Sequence, residues 1–496
     1  MKKTKIICTV GPATESKEMI KQLMEKGMDV ARINMSHAGH EQARRITNTI
    51  RELNKELGKN VGILIDTHGP DLGLQTYNNE NVKVEAGDII VLTTNEMLDN
   101  DNKFVVNYPG LNNDVKKGDT ILLAGGSIEL VIADEVFDDI ICEVVAGGII
   151  KNNCSVNVPN VRIGLDFLSE RDRNDIALAV ELDADYIALS FIRDADDVLD
   201  VIDILISLKN EHMQIISKIE NRSSVDDLEN IIKVSDGIMV ARGDLCLETS
   251  FEETPYLQKK IIKETLKSNK ICIVATQMLA TMQNSAKPTR AEISDIANAV
   301  VDGVDAVMLS EETAVGSYPI ATLDVMRKTI INMEDNLDYD IFAPFNENVN
   351  LDDVTSVIAD SVVKSSKKLN SAAIITSTVS GNTAKKISSS RPSSPIIAIT
   401  PSEATARSLS LYFGITSIVT RFYDNTDDII KYSLKHASEI MPFKNTTVII
   451  TGSFPYQDSH TNFMKIEKIE EWYHSFKLYK EVGIHERQIK NLIRQN

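Results

Sequence analysis

The 496-residue sequence predicts an α/β fold: a closed (β/α)8 barrel with a small inserted β domain, followed by a second α/β domain. Three observations predict it. Short apolar runs alternate with amphipathic helical stretches from Lys5 to about residue 309, giving eight strand–helix units around one interruption. The interruption, roughly residues 73–159, holds short β-like runs bounded by turn signals and no convincing helix. The alternation then starts afresh after about residue 354. An open doubly wound sheet fits less well, because no GxGxxG turn follows the first strand.

The first strand is Lys5–Thr9, followed by a helix over 16–26 and a strand over 29–34. His40–Leu57 continues as helix and 61–66 as strand. The insertion reads VKVEAGDIIVLTT, KKGDTILLAGGSIELVIADEV and DDIICEVVAGGII. A helix over 169–181, a strand over 186–190 and a helix over 195–208 come next. Gln214–Ile219 and 237–240 are apolar runs on either side of a helix over 225–234, a βαβ unit whose runs both end in charge. A helix over 255–268, the strand Ile271–Ala275, a helix over 290–302 and the strand Ala306–Leu309 complete the series. PTRAEISDIANAV, residues 288–300, reads as a proline-started helix.

DIFAPFNENVN, residues 340–350, reads as a linker. Beyond it come the helix Val354–Leu369, a strand over 372–377, a Ser/Thr/Gly loop, a helix over 384–389 and strands over 395–400 and 447–451. The expected domains are residues 1–70 with 162–340 (barrel), 71–161 (insertion), 350–467 (C-terminal α/β) and 468–496 (helical extension). In the extension Trp472, Phe476 and Tyr479 share one helical face, and Ile489, Leu492 and Ile493 form a second stripe. The mixed charges of that segment favour an amphipathic helix pair on its own domain over a membrane or partner helix.

Composition excludes several classes. Hydrophobic residues make up 43% and charged residues 25%, the balance of a soluble globular protein. A net charge of −19 argues against bulk nucleic-acid binding, which needs a basic surface. Cys8, Cys142, Cys154, Cys246 and Cys272 are scattered, with no CxxC pair, which suggests reduced thiols in a cytoplasmic protein. The apolar run before Gly11-Pro12 is too short for a signal-peptide core or a membrane span.

Active sites of parallel barrels lie at the C-terminal ends of the strands. There the sequence reads ARINMSH, LIDTHGP, ISKIEN, VARGDL, ATQML and LSEET. Lys218, Glu220 and Asp244 are expected in one pocket. The two carboxylates offer the hard oxygens that Mg²⁺ prefers, and a lysine beside them suits a phosphoryl group in transfer. Arg32 can clamp a phosphate or carboxylate. Asn34, Ser36, Asp66 and Thr67 supply oxygens for a cation, and Thr276 a hydroxyl. Asp66 or Thr67 alone reads more readily as a helix cap than as a ligand. In the C-terminal domain the loop TVSGNT, residues 378–383, precedes a helix and reads either as a phosphate nest or as a capped turn.

KIICTVGPATES, GMDVARINMSH, IDTHGP, IISKIENRSSVDDLENI, GIMVARGDL, ATQMLATM and KPTRAEISDIANAVVDGVDAVMLS, in this order, closely resemble pyruvate kinases over about residues 4–466. The resemblance implies a TIM-barrel domain, a β-barrel lid, a C-terminal regulatory domain and a homotetramer. It implies phosphoryl transfer from phosphoenolpyruvate to ADP, giving pyruvate and ATP, with Mg²⁺ (or Mn²⁺) and K⁺. Carried over by position, Lys218 stabilises the phosphoryl group, Glu220 and Asp244 hold Mg²⁺, and Arg32 binds the phosphate. The N–H groups of Gly243 and Asp244 cradle the substrate carboxylate. Asn34, Ser36, Asp66 and Thr67 hold K⁺, and Thr276 lies near the carbon that is protonated. Thr378, Ser380 and Thr383 match the loop for an effector phosphate.

The sequence departs from the family pattern chiefly in the insertion. His68 stands for a usual lysine, Gly73 for an arginine, Ala124-Gly125 for an acidic pair and Cys154 for a lysine. Cys246 replaces a glycine and Glu311 a small residue. Asp71 stands where K⁺-requiring members carry Glu, and Val379 is not the lysine associated with fructose-bisphosphate. The segment 453–462 also lacks the basic and Trp residues of that effector site. These departures keep two alternatives to a working pyruvate kinase: a non-catalytic regulatory subunit, or a lyase or decarboxylase acting on a pyruvate enolate.

Overall fold

Eight parallel strands close on themselves in the computed structural model, which describes residues 1–70, 72–94, 102–346, 352–423, 425–441, 446–453 and 461–469, without the side chains of 343–346. Their order around the barrel is Lys5–Thr9, Val30–Asn34, Gly62–Asp66, Tyr186–Leu189, Gln214–Ile219, Gly237–Ala241, Ile271–Ala275 and Ala306–Leu309. Nearly every residue of these strands is buried. That explains their continuous apolar runs: helices cover the outer face and side chains fill the inner one. Asp66, Lys218 and Glu220 are therefore exceptional, being buried charges at strand ends.

The outer helices begin where capping residues dictate. Ser16 caps Lys17–Lys26, and Ser169 forms a capping box with Asp172 on Glu170–Glu181. Arg290–Val301 starts from a Thr289/Glu292 capping box, so Pro288 precedes the cap and does not open the helix. The helix expected over 225–234 is divided at Asp227 into Arg222–Asp226 and Leu228–Val234. The Asp227 carboxylate accepts the Ala195 N–H at 2.9 Å and the Asn230 amide at 2.7 Å, which anchors the break. A helix not expected from the sequence, Arg242–Glu248, starts directly at the end of its strand.

The insertion is a second closed barrel, of seven strands: Gly73–Gln75, Ile89–Thr93, Lys103–Val106, Thr120–Leu123, Ile128–Val136, Asp139–Ala146 and Cys154–Asn157. Leu74, Leu92, Phe104, Ile121 and Leu130 are among its buried core residues. A short helix, Leu111–Asp114, interrupts the strands, contrary to the expectation of none. Gly110 and Asp114 flank a span too short for helical periodicity to register.

The chain separates into two compact units, the first of them Lys2–Leu337. In the second, a 3₁₀ helix, Tyr339–Asn346, occupies most of the expected linker. A five-stranded sheet follows in the order Ile415–Val419, Ile396–Thr400, Ala373–Ser377, Thr447–Gly452 and Phe463–Lys468. Only the last strand is antiparallel. Ala359, Val362 and Ile387 pack in one apolar cluster of this unit and Leu434 and Ala437 in another. Asp71, most of 453–462 and the extension from 470 lie outside the described residues, so the expectations placed there carry no structural account.

Candidate active site

The rim residues expected from the sequence converge on Lys218. Its ammonium lies 2.7 Å from the Ser190 hydroxyl, 2.9 Å from Glu220 Oε1 and 3.3 Å from Asp66 Oδ1. Asp66 Oδ2 takes the Arg32 Nε–H at 2.6 Å, and Arg32 Nη1 donates to Thr9 Oγ1 at 3.0 Å. The strand register permits this meeting, because Arg32 lies two residues before Asn34, which pairs with Asp66 on the neighbouring strand. Burial works against the Lys218 charge, but Asp66 and Glu220 outweigh it and hold its pKa above the usual lysine value. Asp66 is likewise pushed up by burial, and Lys218 and Arg32 more than reverse that and hold it below the usual carboxylate range. Glu220 differs. Burial, with repulsion from Asp244, pushes it up to about 7 against the pull of Lys218.

Two carboxylate groups retain unspent acceptor capacity. Glu220 Oε2 accepts the Phe191 N–H at 2.6 Å, but buried Oε1 has no aligned hydrogen bond despite its closeness to Lys218. The half-buried Asp244 carboxylate makes no hydrogen bond or ion pair among the described residues. An orphaned buried oxygen beside a free carboxylate fits a divalent cation. No group of three or more His, Cys, Asp or Glu side chains suited to a metal occurs among the described residues. Two carboxylates suffice for Mg²⁺, which keeps several waters and takes substrate oxygens. Asn34 Oδ1 accepts the Ser36 N–H at 3.1 Å, whereas the Ser36 hydroxyl makes no hydrogen bond among the described residues. With Asp66 and Thr67 next to them, mainly neutral oxygens fit a monovalent cation.

Thr276 sits at φ +68° and Gln277 at +53°. A β-branched residue in the left-handed region costs on the order of 1–3 kcal/mol and persists where its surroundings enforce it. Arg242 does so here, donating through Nη2 to the Thr276 carbonyl at 2.6 Å and through Nη1 to Asp295 at 2.5 Å. The Thr276 hydroxyl donates to the Ala275 carbonyl at 2.6 Å and accepts the Gly243 N–H at 2.7 Å. Sequence reasoning missed Arg242 and Ser190. Both stand at strand ends, and that position was the signal that could have found them.

A cavity of about 320 Å³ separates this rim from the inserted domain. Asp244, Glu248 and Phe191 line it from the barrel, and Gly125, Ser155 and Asn157 from the insertion. Asn157 donates to Glu248 at 2.9 Å across it. Arg162, Arg193 and Arg222 also line it, and each pairs with a carboxylate, Asp194, Asp197 and Glu253 respectively. Gly73 and Cys154, where the family pattern has an arginine and a lysine, are not part of this lining. Cys154 packs against the core of the insertion, because it shares a strand face with buried Val156.

In the C-terminal unit, Thr378 Oγ1 accepts the Gly381 N–H at 2.9 Å, and the Thr383 hydroxyl bonds that of Thr461. Ser380 and Val379 are exposed at the start of the helix Asn382–Ser389. Two hydroxyls of the predicted loop thus hold its shape and the third is open.

Two family models match the chain: "Pyruvate kinase, barrel domain" over residues 1–323 and "Pyruvate kinase, alpha/beta domain" over 356–467. A pyruvate kinase of Bacillus licheniformis is 40% identical over 470 residues, 94% of this chain and 80% of that protein. One of Clostridium perfringens is 40% identical over 474 residues, 95% of this chain and 100% of that protein. The crystal structure of a pyruvate kinase from Cryptosporidium parvum matches with a TM-score of 0.88 at 35% identity, covering 94% of this chain and 96% of that one.

Proposed function

The chain belongs to the pyruvate kinase family, and we propose how its rim divides the work of moving the phosphoryl group of phosphoenolpyruvate to ADP. The activity is that of a pyruvate kinase, a glycolytic phosphotransferase. The observation that carries the reading is the buried Lys218 ammonium, kept charged by Asp66 and Glu220 next to an unpaired Asp244.

Phosphoryl transfer asks little covalent chemistry of the protein and much charge neutralisation. Lys218 presents a fixed positive charge to the phosphoryl group in flight. Arg32, oriented by Asp66 and Thr9, keeps Nη2 for a phosphate oxygen. Glu220 and Asp244 hold Mg²⁺ or Mn²⁺. The metal, when bound, neutralises charge on the enolpyruvate oxygen and on the phosphate. Asn34, Ser36, Asp66 and Thr67 hold K⁺. The substrate carboxylate takes the N–H groups of Gly243 and Asp244. The Gly243 N–H now donates to the Thr276 hydroxyl, whose own proton is held by the Ala275 carbonyl; once the substrate carboxylate has taken the N–H, the hydroxyl must turn from that carbonyl to donate a proton near the methylene carbon.

ADP occupies the side of the cleft towards the inserted domain. Thr378, Ser380 and Thr383 either give no response to a sugar bisphosphate or take the phosphate of a different effector. The protein works in the cytoplasm as a homotetramer. No helix among the described residues is long and apolar enough to cross a membrane. A lactate-dehydrogenase-coupled assay with phosphoenolpyruvate, several nucleoside diphosphates and varied Mg²⁺ and K⁺ tests the reading. Pyruvate formation that needs both substrates and a divalent cation supports it, and no signal under any combination refutes it.

A further inference from the structure

Ser190 ends the fourth barrel strand and is 2% exposed. Its Oγ lies 2.7 Å from Lys218 Nζ, 2.8 Å from the Thr67 carbonyl and 3.2 Å from Asp66 Oδ1. A hydroxyl has one proton to donate and lone pairs to accept with. The ammonium can only donate, so Ser190 accepts from Lys218 and sends its own proton to the Thr67 carbonyl at the shorter distance. Of the three oxygens around Lys218, the serine Oγ is the nearest and the one with hydrogen-bond geometry, whereas Glu220 and Asp66 act as ion-pair partners.

The serine is itself held on three sides. Its N–H donates to Thr67 Oγ1 at 3.2 Å. A Cβ at Gly69 would come within 2.9 Å of the Ser190 Cβ, so the turn after the third strand packs directly on it. The next residue, Phe191, is in the left-handed region at φ +56°, and its N–H donates to Glu220 Oε2 at 2.6 Å. One two-residue turn therefore orients both Lys218, through a hydroxyl, and Glu220, through a backbone N–H. Ion pairing attracts the lysine to two carboxylates on different strands without choosing a position between them. A directional hydrogen bond chooses one.

We propose that Ser190 is a positioning residue for phosphoryl transfer: its hydroxyl, locked by Thr67 and Gly69, fixes where the Lys218 ammonium stands between Glu220 and Asp66 and aims it towards the phosphoryl site. The inference rests on the role given to Lys218 above. Without the hydroxyl, Lys218 loses that direction, whereas Glu220 keeps the Phe191 N–H and the enolate side of the site stays intact.

The test compares Ser190→Ala, Ser190→Cys and Ser190→Thr in two reactions of the full-length enzyme: phosphoryl transfer in the coupled assay, and metal-dependent exchange of pyruvate methyl protons with D₂O, followed by NMR. Ala and Cys are expected to lower kcat by about tenfold to a hundredfold, the range for losing a hydrogen bond to a charged group. The KM values for phosphoenolpyruvate and ADP, and the exchange rate, stay within about threefold, and Thr restores part of kcat. In a Lys218→Ala background, Ser190→Ala should cost little more. Wild-type kcat in the Cys variant, which fills the same space, overturns the proposal. So does equal loss of transfer and exchange in variants that keep the wild-type melting temperature. Absence of transfer in the wild-type enzyme would instead refute the activity itself.

Discussion

The two walls of the cleft are built on opposite principles. On the barrel side, Lys218, Arg32, Asp66 and Glu220 are buried at strand ends, and every one contacts at least one other. On the side of the inserted domain, the cavity meets Gly125, Ser155 and Asn157, which are small or neutral. Buried charges are costly unless interlocked, so the barrel wall tolerates almost no change. A wall of small neutral groups facing solvent carries no such cost and can drift. Of the departures read in the sequence, Gly125 faces this cavity, whereas Gly73 and Cys154 do not.

The largest effect is expected at the centre of the charged wall. Lys218→Ala should lower kcat by about 10²–10³-fold or more, by analogy with removing one preorganised charge donor. It also strands Glu220 and Asp66, and should cost about 3–5 kcal/mol of stability. The coupled assay and thermal unfolding check both. An active Lys218→Ala enzyme would erase the contrast between the walls.

Glu220 offers a pH test. Its carboxyl is raised from the ordinary 4.5 to about 7, so the folded protein holds a proton there that the unfolded chain releases. The stability from that raised pKa is full below about 4.5 and is lost as pH rises through about 7. Metal binding needs the ionised form. At low Mg²⁺, kcat/KM should therefore fall as pH drops through about 7, and raising Mg²⁺ tenfold should move this limb down by up to about one pH unit. Glu220→Gln should remove that Mg²⁺ dependence of the limb. An acid limb indifferent to Mg²⁺ would separate Glu220 from the metal.

Arg242→Lys keeps the charge but loses the planar fork that grips both the Thr276 carbonyl and Asp295. The expected loss is about tenfold in kcat with smaller changes in KM, because Thr276 relaxes from its left-handed backbone. The weakest effects lie within the inserted domain, behind the neutral wall. Cys154→Lys should destabilise the inserted domain by about 1–3 kcal/mol without improving ADP use, since residue 154 packs on the domain core. Gly73→Arg should be tolerated, its Cβ meeting Asn107 Nδ2 at an acceptable 3.4 Å, and should leave the KM for ADP unchanged, since residue 73 does not line the cavity. A large gain from Cys154→Lys would show that the two walls are not independent.

The unequal legibility of the two walls has a physical origin. Strand ends announce themselves, because an apolar run stops at a charge, so Lys218, Glu220 and Asp244 could be marked from spacing alone. Ser190 and Arg242 occupy equivalent ends, but their roles lie in hydrogen bonds to Thr67 and Thr276, residues 123 and 34 positions away. The packing of Cys154 on the core of the insertion was legible in the sequence, since it alternates with an apolar Val156 that had to be buried. The helix Arg242–Glu248 was not readable, because seven residues hold too few turns for a periodic signal.

By itself the sequence determined the order of elements, the barrel with its insertion, the C-terminal α/β unit and the set of charged rim residues. These follow from local periodicity and strand parity, which neighbouring residues impose on one another. Only the tertiary structure decided which oxygens remain free for cations, which turn orients Lys218, and which face of the inserted domain meets the cleft. Those depend on distances between strands far apart in the chain, and such distances exist only once the barrel has closed.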